Sequence, residues 1–117
     1  MTSLPQVDLS RGIAKTWDLF VARLPRVYAR LNELATRGRE ADLFEALQEV
    51  DRHRAAAIAA LGEVESTADL GQALPHAAPF ASHFARALAF LVELASAESA
   101  DRAEAALDRF RAAVLPK

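Results

Sequence analysis

Apolar side chains recur along the first third of the chain at Ile13, Trp17, Phe20, Leu24, Val27, Leu31 and Leu34, in alternating steps of four and three. That spacing keeps one large side chain per turn on a single helical face, and it predicts an amphipathic first helix over residues 9–37. Val21, Tyr28 and Ala35 widen the stripe on one side. Asp8 or Ser10 can cap the start by accepting bonds from backbone N–H groups, and Gly38 can end the helix in the left-handed conformation. Pro25 falls inside the pattern, where it removes the hydrogen bond to the Val21 carbonyl and crowds it. The heptad phase continues across the proline, so a kink near residue 25 is expected rather than two helices.

A second helix is predicted over residues 40–61. Its apolar face is Leu43, Leu47, Val50, Ala57, Ile58 and Leu61, with Phe44 at the edge, Glu40 and Asp42 in the first turn and Gly62 as the stop. The short glycine-containing turn between these two helices implies an antiparallel hairpin. From residue 63 to 79 the pattern is mixed. Ser66 to Asp69 can open a short helix over 66–74 that stops before Pro75, and Gly71 weakens it. Pro79 suits the first turn of a third helix over 78–97. Phe80, Phe84, Ala87, Leu88, Phe90, Leu91, Val92 and Leu94 give that helix a broad apolar surface, with only Ser82, Arg86 and Glu93 on a polar side, so it is expected to be the most buried. Ser99 can cap a fourth helix over 99–114, which carries Ala103, Leu107, Phe110 and Val114 at heptad spacing. Strand signals are absent. The expected fold is all-α, a four-helix bundle built on an antiparallel helical hairpin, with a short extra helix or irregular segment between helices 2 and 3 and one domain over residues 1–117.

Composition thins this picture. Of the 117 residues 52% are hydrophobic, but 27 of them are alanine, which favours helix strongly and contributes little burial. The chain has no cysteine, which excludes a disulfide scaffold and thiolate-bound metals. No apolar run approaches the roughly 20 residues of a membrane span. The start MTSLPQVDLSRG lacks the basic and apolar segments of a signal peptide, so a cytoplasmic location is expected. A net charge of −2 gives no general attraction to nucleic acid, and no recognition-helix motif accompanies the basic residues.

That small net charge conceals segregation. Seven basic and two acidic residues lie between Arg11 and Arg39, and eight acidic and two basic between Glu40 and Pro75. Arg11, Lys15, Arg26, Arg30 and Arg37 share one face of the first helix, and Asp42, Glu45 and Glu49 share a face of the second. One outcome is a pair of solvated faces whose mutual attraction is worth tenths of a kcal/mol per pair. The other is contact between the basic stripe and an acidic partner, either a second copy or a different protein. A homodimer is expected on two grounds. The first two helices, about 40 and 33 Å long, outrun the third and fourth at about 30 and 24 Å, and their opposite charges suit a two-fold contact.

Few residues suggest chemistry. His53 follows Glu45 and Glu49 at four-residue intervals, making these three the candidate metal ligands. Dinuclear carboxylate bundles, however, use Glu-x-x-His pairs, and none occurs here, so the row reads as a solvated face. His76 and His83 could hold haem or a metal against Phe80 and Phe84, although boundary histidines are more often simply packed and hydrogen-bonded. Arg54 falls among Leu43, Leu47 and Val50 on the core face and must be paired there. Asp51 can supply the partner, or the chain can snorkel past Ala55 to Ala57. The sharper alternative makes Arg54 an anchor at a subunit interface or the floor of an anion pocket. Trp17 and Tyr28 lie on the apolar face, available to the core or to a partner. No nucleophile elbow, phosphate loop or HExxH sequence is present, so no catalytic residue and no cofactor is expected. The sequence favours a small non-catalytic helical interaction protein, adaptor or chaperone-like and homodimeric, that binds a protein partner through apolar helix faces. The alternative is a ligand- or cofactor-binding bundle with a pocket near Arg54 and His83.

Overall fold

The computed structural model describes residues 6–34 and 38–116. These form four helices, α1 (Gln6–Leu34), α2 (Glu40–Gly62), α3 (Thr67–Ser96) and α4 (Ala100–Val114), with no strand among the described residues. Every pair of helices touches, and the α2–α3 interface is the most extensive, so the packing is that of an all-α bundle.

The α1 seam packs as its spacing requires. Phe20 and Leu31 are buried, and Ile13, Trp17, Leu24, Val27 and Leu34 pack partly buried against the core. Tyr28 joins them, whereas Val21 is exposed. The helix is already formed at Gln6, so Asp8 and Ser10 lie within it rather than at its start. Ala35 and Arg37 fall outside the described residues. Gly38 has φ +60°, the left-handed conformation expected of it.

All three prolines between residues 20 and 80 are accommodated inside helices. α1 runs through Pro25 unbroken, and α3 runs through both Pro75 and Pro79. The short helix expected over 66–74 is therefore the first part of α3, and there is no irregular segment at its junction with residues 78–97. The physical reason lies in where the prolines sit. The carbonyls deprived of their helical donors belong to Val21, Gly71 and Pro75, all exposed residues that water can reach. Extending α3 to 30 residues makes it as long as α1. The length mismatch that suggested an uncovered α1 seam is absent for this pair.

Local chemistry sets the other ends. The Ser66 hydroxyl accepts from the Asp69 N–H at 3.2 Å, and the Ser99 hydroxyl accepts from the Arg102 N–H at 3.3 Å, capping α3 and α4. Gly62 is the last residue of α2 rather than its stop.

The core combines large side chains with alanine. Leu43, Leu47 and Val50 of α2 meet Phe80, Phe84, Phe90 and Leu94 of α3 and Leu107, Phe110 and Val114 of α4. Ala46, Ala57, Ala87, Ala103 and Ala106 are buried among them. Phe20 and Phe84 pack at 5.2 Å between ring centroids, and Phe90 stacks on Phe110 at 5.4 Å. A smaller cluster of Leu61, Val64 and Ala73 closes the junction between α2 and α3.

α3 departs from expectation in one respect. Its breadth of apolar residues is two faces rather than one. Phe80, Phe84, Ala87, Phe90 and Leu94 turn inward, but Leu74, Leu88 and Val92 are 51%, 47% and 68% exposed. Adjacent residues on α2 offer a direct check of the packing. Leu43→Ala removes a fully buried side chain and should cost about 2–5 kcal/mol, while Phe44→Ala, at a position 55% exposed, should stay within about 0.5 kcal/mol. Urea unfolding of the two variants measures both.

Candidate functional site

Asp42, Glu45, Glu49 and His53 recur at steps of three and four along α2, and the structure brings other helices against that row. Arg111 of α4 places Nη2 3.7 Å from carboxylate oxygens of both Asp42 and Glu45. Its Nε is buried without a hydrogen-bond partner, so charge rather than directed bonding holds the guanidinium there. Arg39, just before α2, reaches further. Its Nε donates to Asp42 at 2.6 Å, its Nη2 donates to Asp108 of α4 at 2.6 Å, and Nη1 lies 3.6 Å from Glu104. The expected solvated face is thus a polar seam between helices. These hydrogen bonds raise the Arg39 pKa, and the Arg39 bond is the main cause holding the Asp42 carboxyl below the usual carboxylate range.

One turn further along, Glu49 and His53 meet His83 of α3. His53 Nε2 is 3.3 Å from Glu49 Oε1, and Arg52 also pairs with that carboxylate. The Glu49 and His53 side chains are only 14% and 25% exposed. The His53 and His83 rings pack edge to face with centroids 4.4 Å apart. Burial pushes the His83 pKa down, and the neighbouring His53 adds to that, against the Glu49 charge and the hydrogen-bonding carbonyls of Val114 and Pro79. Burial thus favours the neutral imidazole, whose one N–H can meet one of those carbonyls.

The remaining candidates are dispersed. Glu45 faces Arg111, not the histidines. His76 is exposed and borders a shallow depression with Glu63, Asp69 and Gln72. Seven residues of helix, about 10 Å, separate it from His83, and the pairing that exists is His53 with His83. Arg54 takes the paired course rather than snorkelling past Ala55 to Ala57. It donates to Asp51 at 2.7 Å and lies over the Trp17 ring at 5.7 Å, with its side chain 26% exposed. Trp17 itself packs on Phe20, Phe80 and Phe84. Tyr28 is half-buried, its pKa raised by that burial and by the Glu40 charge.

A different feature forms between α1 and α3. Arg23, Arg26, Val27 and Arg30 from α1 and Leu91, Leu94 and Ala95 from α3 line an open groove of about 490 Å³. Arg30 is tied down, donating to the Ala97 carbonyl at 2.8 Å and lying 3.6 Å from Glu33. Arg23 and Arg26 are exposed and have no carboxylate partner among the described residues. Arg11 and Lys15 are also exposed on α1. Arg23 was not among the residues that sequence reasoning put in the stripe, although it sits about 20° from Arg30 on the helix. Leu74, Ala78, Ala81, Ala85, Leu88 and Val92 are all exposed on α3, in steps of four and three, and the stripe ends at Leu88 and Val92 next to Leu91 of the groove.

The two regions have different capacities. The α2–α3 cluster gathers two nitrogen donors and a carboxylate, and the α1–α3 groove offers apolar area with a cationic wall. The polar seam has its own signature in acid. A carboxyl whose folded pKa is depressed stabilises the fold above its unfolded value of about 3.9, and that contribution disappears as the pH falls through the depressed value. Arg39→Gln should therefore lose less stability than the wild type below about pH 4, which urea midpoints across the acid range will reveal. No protein-family model matches the chain, and no curated protein and no solved structure gives a significant match, so the functional reading rests on this geometry.

Proposed function

We propose that the protein is a non-catalytic helix-binding module, adaptor or chaperone-like, whose groove between α1 and α3 seats an amphipathic helix with acidic flanks. The observation that carries this reading is the pair Arg23 and Arg26. They stand unneutralised, among the described residues, beside an apolar groove. The outward stripe from Leu74 to Val92 continues the apolar surface along α3 at the spacing a helical partner can match. Contiguous exposed apolar surface of this kind marks interaction sites in soluble domains. Cations along its margin would select an acidic partner over a basic one and speed its encounter.

In this reading α1 and α2 form the antiparallel hairpin that holds the cationic wall in place. Arg54 over Trp17 and Glu40 beside Tyr28 support that direction, because late residues of α2 meet early residues of α1. A homodimer is the competing occupant, since a heptad stripe can pair with its own copy. Electrostatics favours the foreign helix. Four of the five carboxylates that α2 of a second copy would bring are already held within their own chain, Asp42 by Arg39, Glu45 by Arg111, Glu49 by Arg52 and Asp51 by Arg54, which leaves only Glu40 at the start of the helix.

A three-heptad peptide with Leu at a and d and Glu at e and g tests the reading, with a Lys counterpart as control. Fluorescence anisotropy should show the Glu peptide binding at least about tenfold more tightly, a difference of about 1.4 kcal/mol, and weakening as salt rises. Arg23→Glu with Arg26→Glu should reverse the preference, and Leu88→Asp with Val92→Asp should weaken both peptides. Equal binding of the two peptides, or indifference to the arginine reversal, sinks the proposal. Sedimentation that finds a dimer dispersed by Leu88→Asp and Val92→Asp would give the stripe to a second copy instead.

A further inference from the structure

The meeting of Glu49, His53 and His83 lies outside the docking groove and does not depend on it. α2 supplies Glu49 and His53 one turn apart on one face, and α3 supplies His83 opposite them. One potential donor atom from each residue lies within 4.8 Å of the others. In a tetrahedral site with bonds of about 2.1 Å, neighbouring donor atoms stand about 3.4 Å apart. The Glu49–His53 edge, at 3.3 Å, already has that separation. Closing the remaining edges requires an approach of no more than about 1.4 Å, within reach of side-chain rotation alone.

The surroundings suit a cation. The three side chains are partly withdrawn from water, which strengthens their field at a central ion. Arg52, which shares the Glu49 carboxylate, is 67% exposed and free to swing into solvent when a metal takes its place. The Val114 and Pro79 carbonyls act on the His83 imidazole, whose one N–H in the neutral ligating form can be given to either. Such outer-shell acceptors fix the orientation of a ligating ring and raise its basicity. Val114 also ends α4, where the helix dipole places partial negative charge.

We propose that Glu49, His53 and His83 form a three-ligand site for a borderline divalent ion of the zinc type. Two imidazoles with one carboxylate suit Zn²⁺, Co²⁺ or Ni²⁺, whereas Mg²⁺ and Ca²⁺ require oxygen donors throughout. Three protein ligands leave a coordination position for water or an exchangeable anion. Metal binding would also tie α2 to α3 across the bundle's most extensive interface.

Calorimetric titration of the chelator-treated full chain with Zn²⁺ tests the site, with Co²⁺ as a spectroscopic probe. The expected result is one ion per chain, a visible Co²⁺ band of four-coordinate intensity, and a melting temperature that rises with Zn²⁺. His53→Gln and His83→Gln, with far-UV circular dichroism confirming that they fold, should each weaken Zn²⁺ binding by about 100-fold or more, beyond what outer-shell changes cause. Glu49→Gln gives an independent reading by altering the Co²⁺ band, and His76→Gln should change nothing. Zn²⁺ binding that survives both histidine substitutions, a Co²⁺ band unaffected by Glu49→Gln, or no binding below about 100 μM (weaker than about −5.5 kcal/mol) overturns the proposal.

Discussion

A helix packed against three others cannot leave an ionised face to itself, and α2 is such a helix. Its polar row from Asp42 to His53 runs against α4 and α3, with Glu49 and His53 largely covered and Glu45 still half open to water. Each member must therefore find a counterpart on another element, or one turn away on its own. Arg39 and Arg111 answer the first two carboxylates, Arg52 and His53 answer Glu49, and His53 meets His83. The rotation of α2 about its axis and the placement of α4 fit this seam together with the neighbouring apolar face of Leu43, Leu47 and Val50. The polar contacts add direction to a hydrophobic core that would tolerate sliding.

The same arrangement separates the charges that the chain carries. Acidic groups of α2 are largely satisfied inside the molecule, while basic groups at the centre of α1 are left facing a groove. A stripe of charge read from one helix cannot distinguish these outcomes. Partner availability decides whether a charged face is internal structure or external surface, and here α2 has partners that Arg23 and Arg26 lack among the described residues. The groove and the Glu49–His53–His83 cluster thus lie on different sides of one packing solution.

Much of the local structure was legible in the sequence. The four-and-three spacing from Ile13 to Leu34 located the inward face of α1, and Ser66 and Ser99 announced caps because capping chemistry spans only three residues. The failures share a cause in the third dimension. Pro75 reads as a stop until it is known that Gly71, whose carbonyl loses its helical donor, is exposed. Leu88 and Val92 read as core because an alanine-rich helix offers few polar residues to mark its outer side. The candidate site was half visible: Glu49 and His53 form a four-residue pair, which is not the Glu-x-x-His spacing of dinuclear bundles. His83 lies 30 positions away on another helix, and no single-helix projection gives the relative rotation of two helices. Arg39 reaching Asp108 was hidden for the same reason.

Alanine, which first looked like diluted hydrophobicity, divides into two populations with different tolerances. Ala46, Ala57, Ala87 and Ala103 have no accessible surface, and there a methyl group marks the limit of what adjoining helices admit. Enlarging any one of them forces the backbones apart or the neighbouring rotamers out of their wells. Ala22, Ala29, Ala41 and Ala55 are exposed and face no such limit. The sequence space open to this fold is accordingly uneven: wide at one set of alanines, almost closed at the other, though the letters are identical.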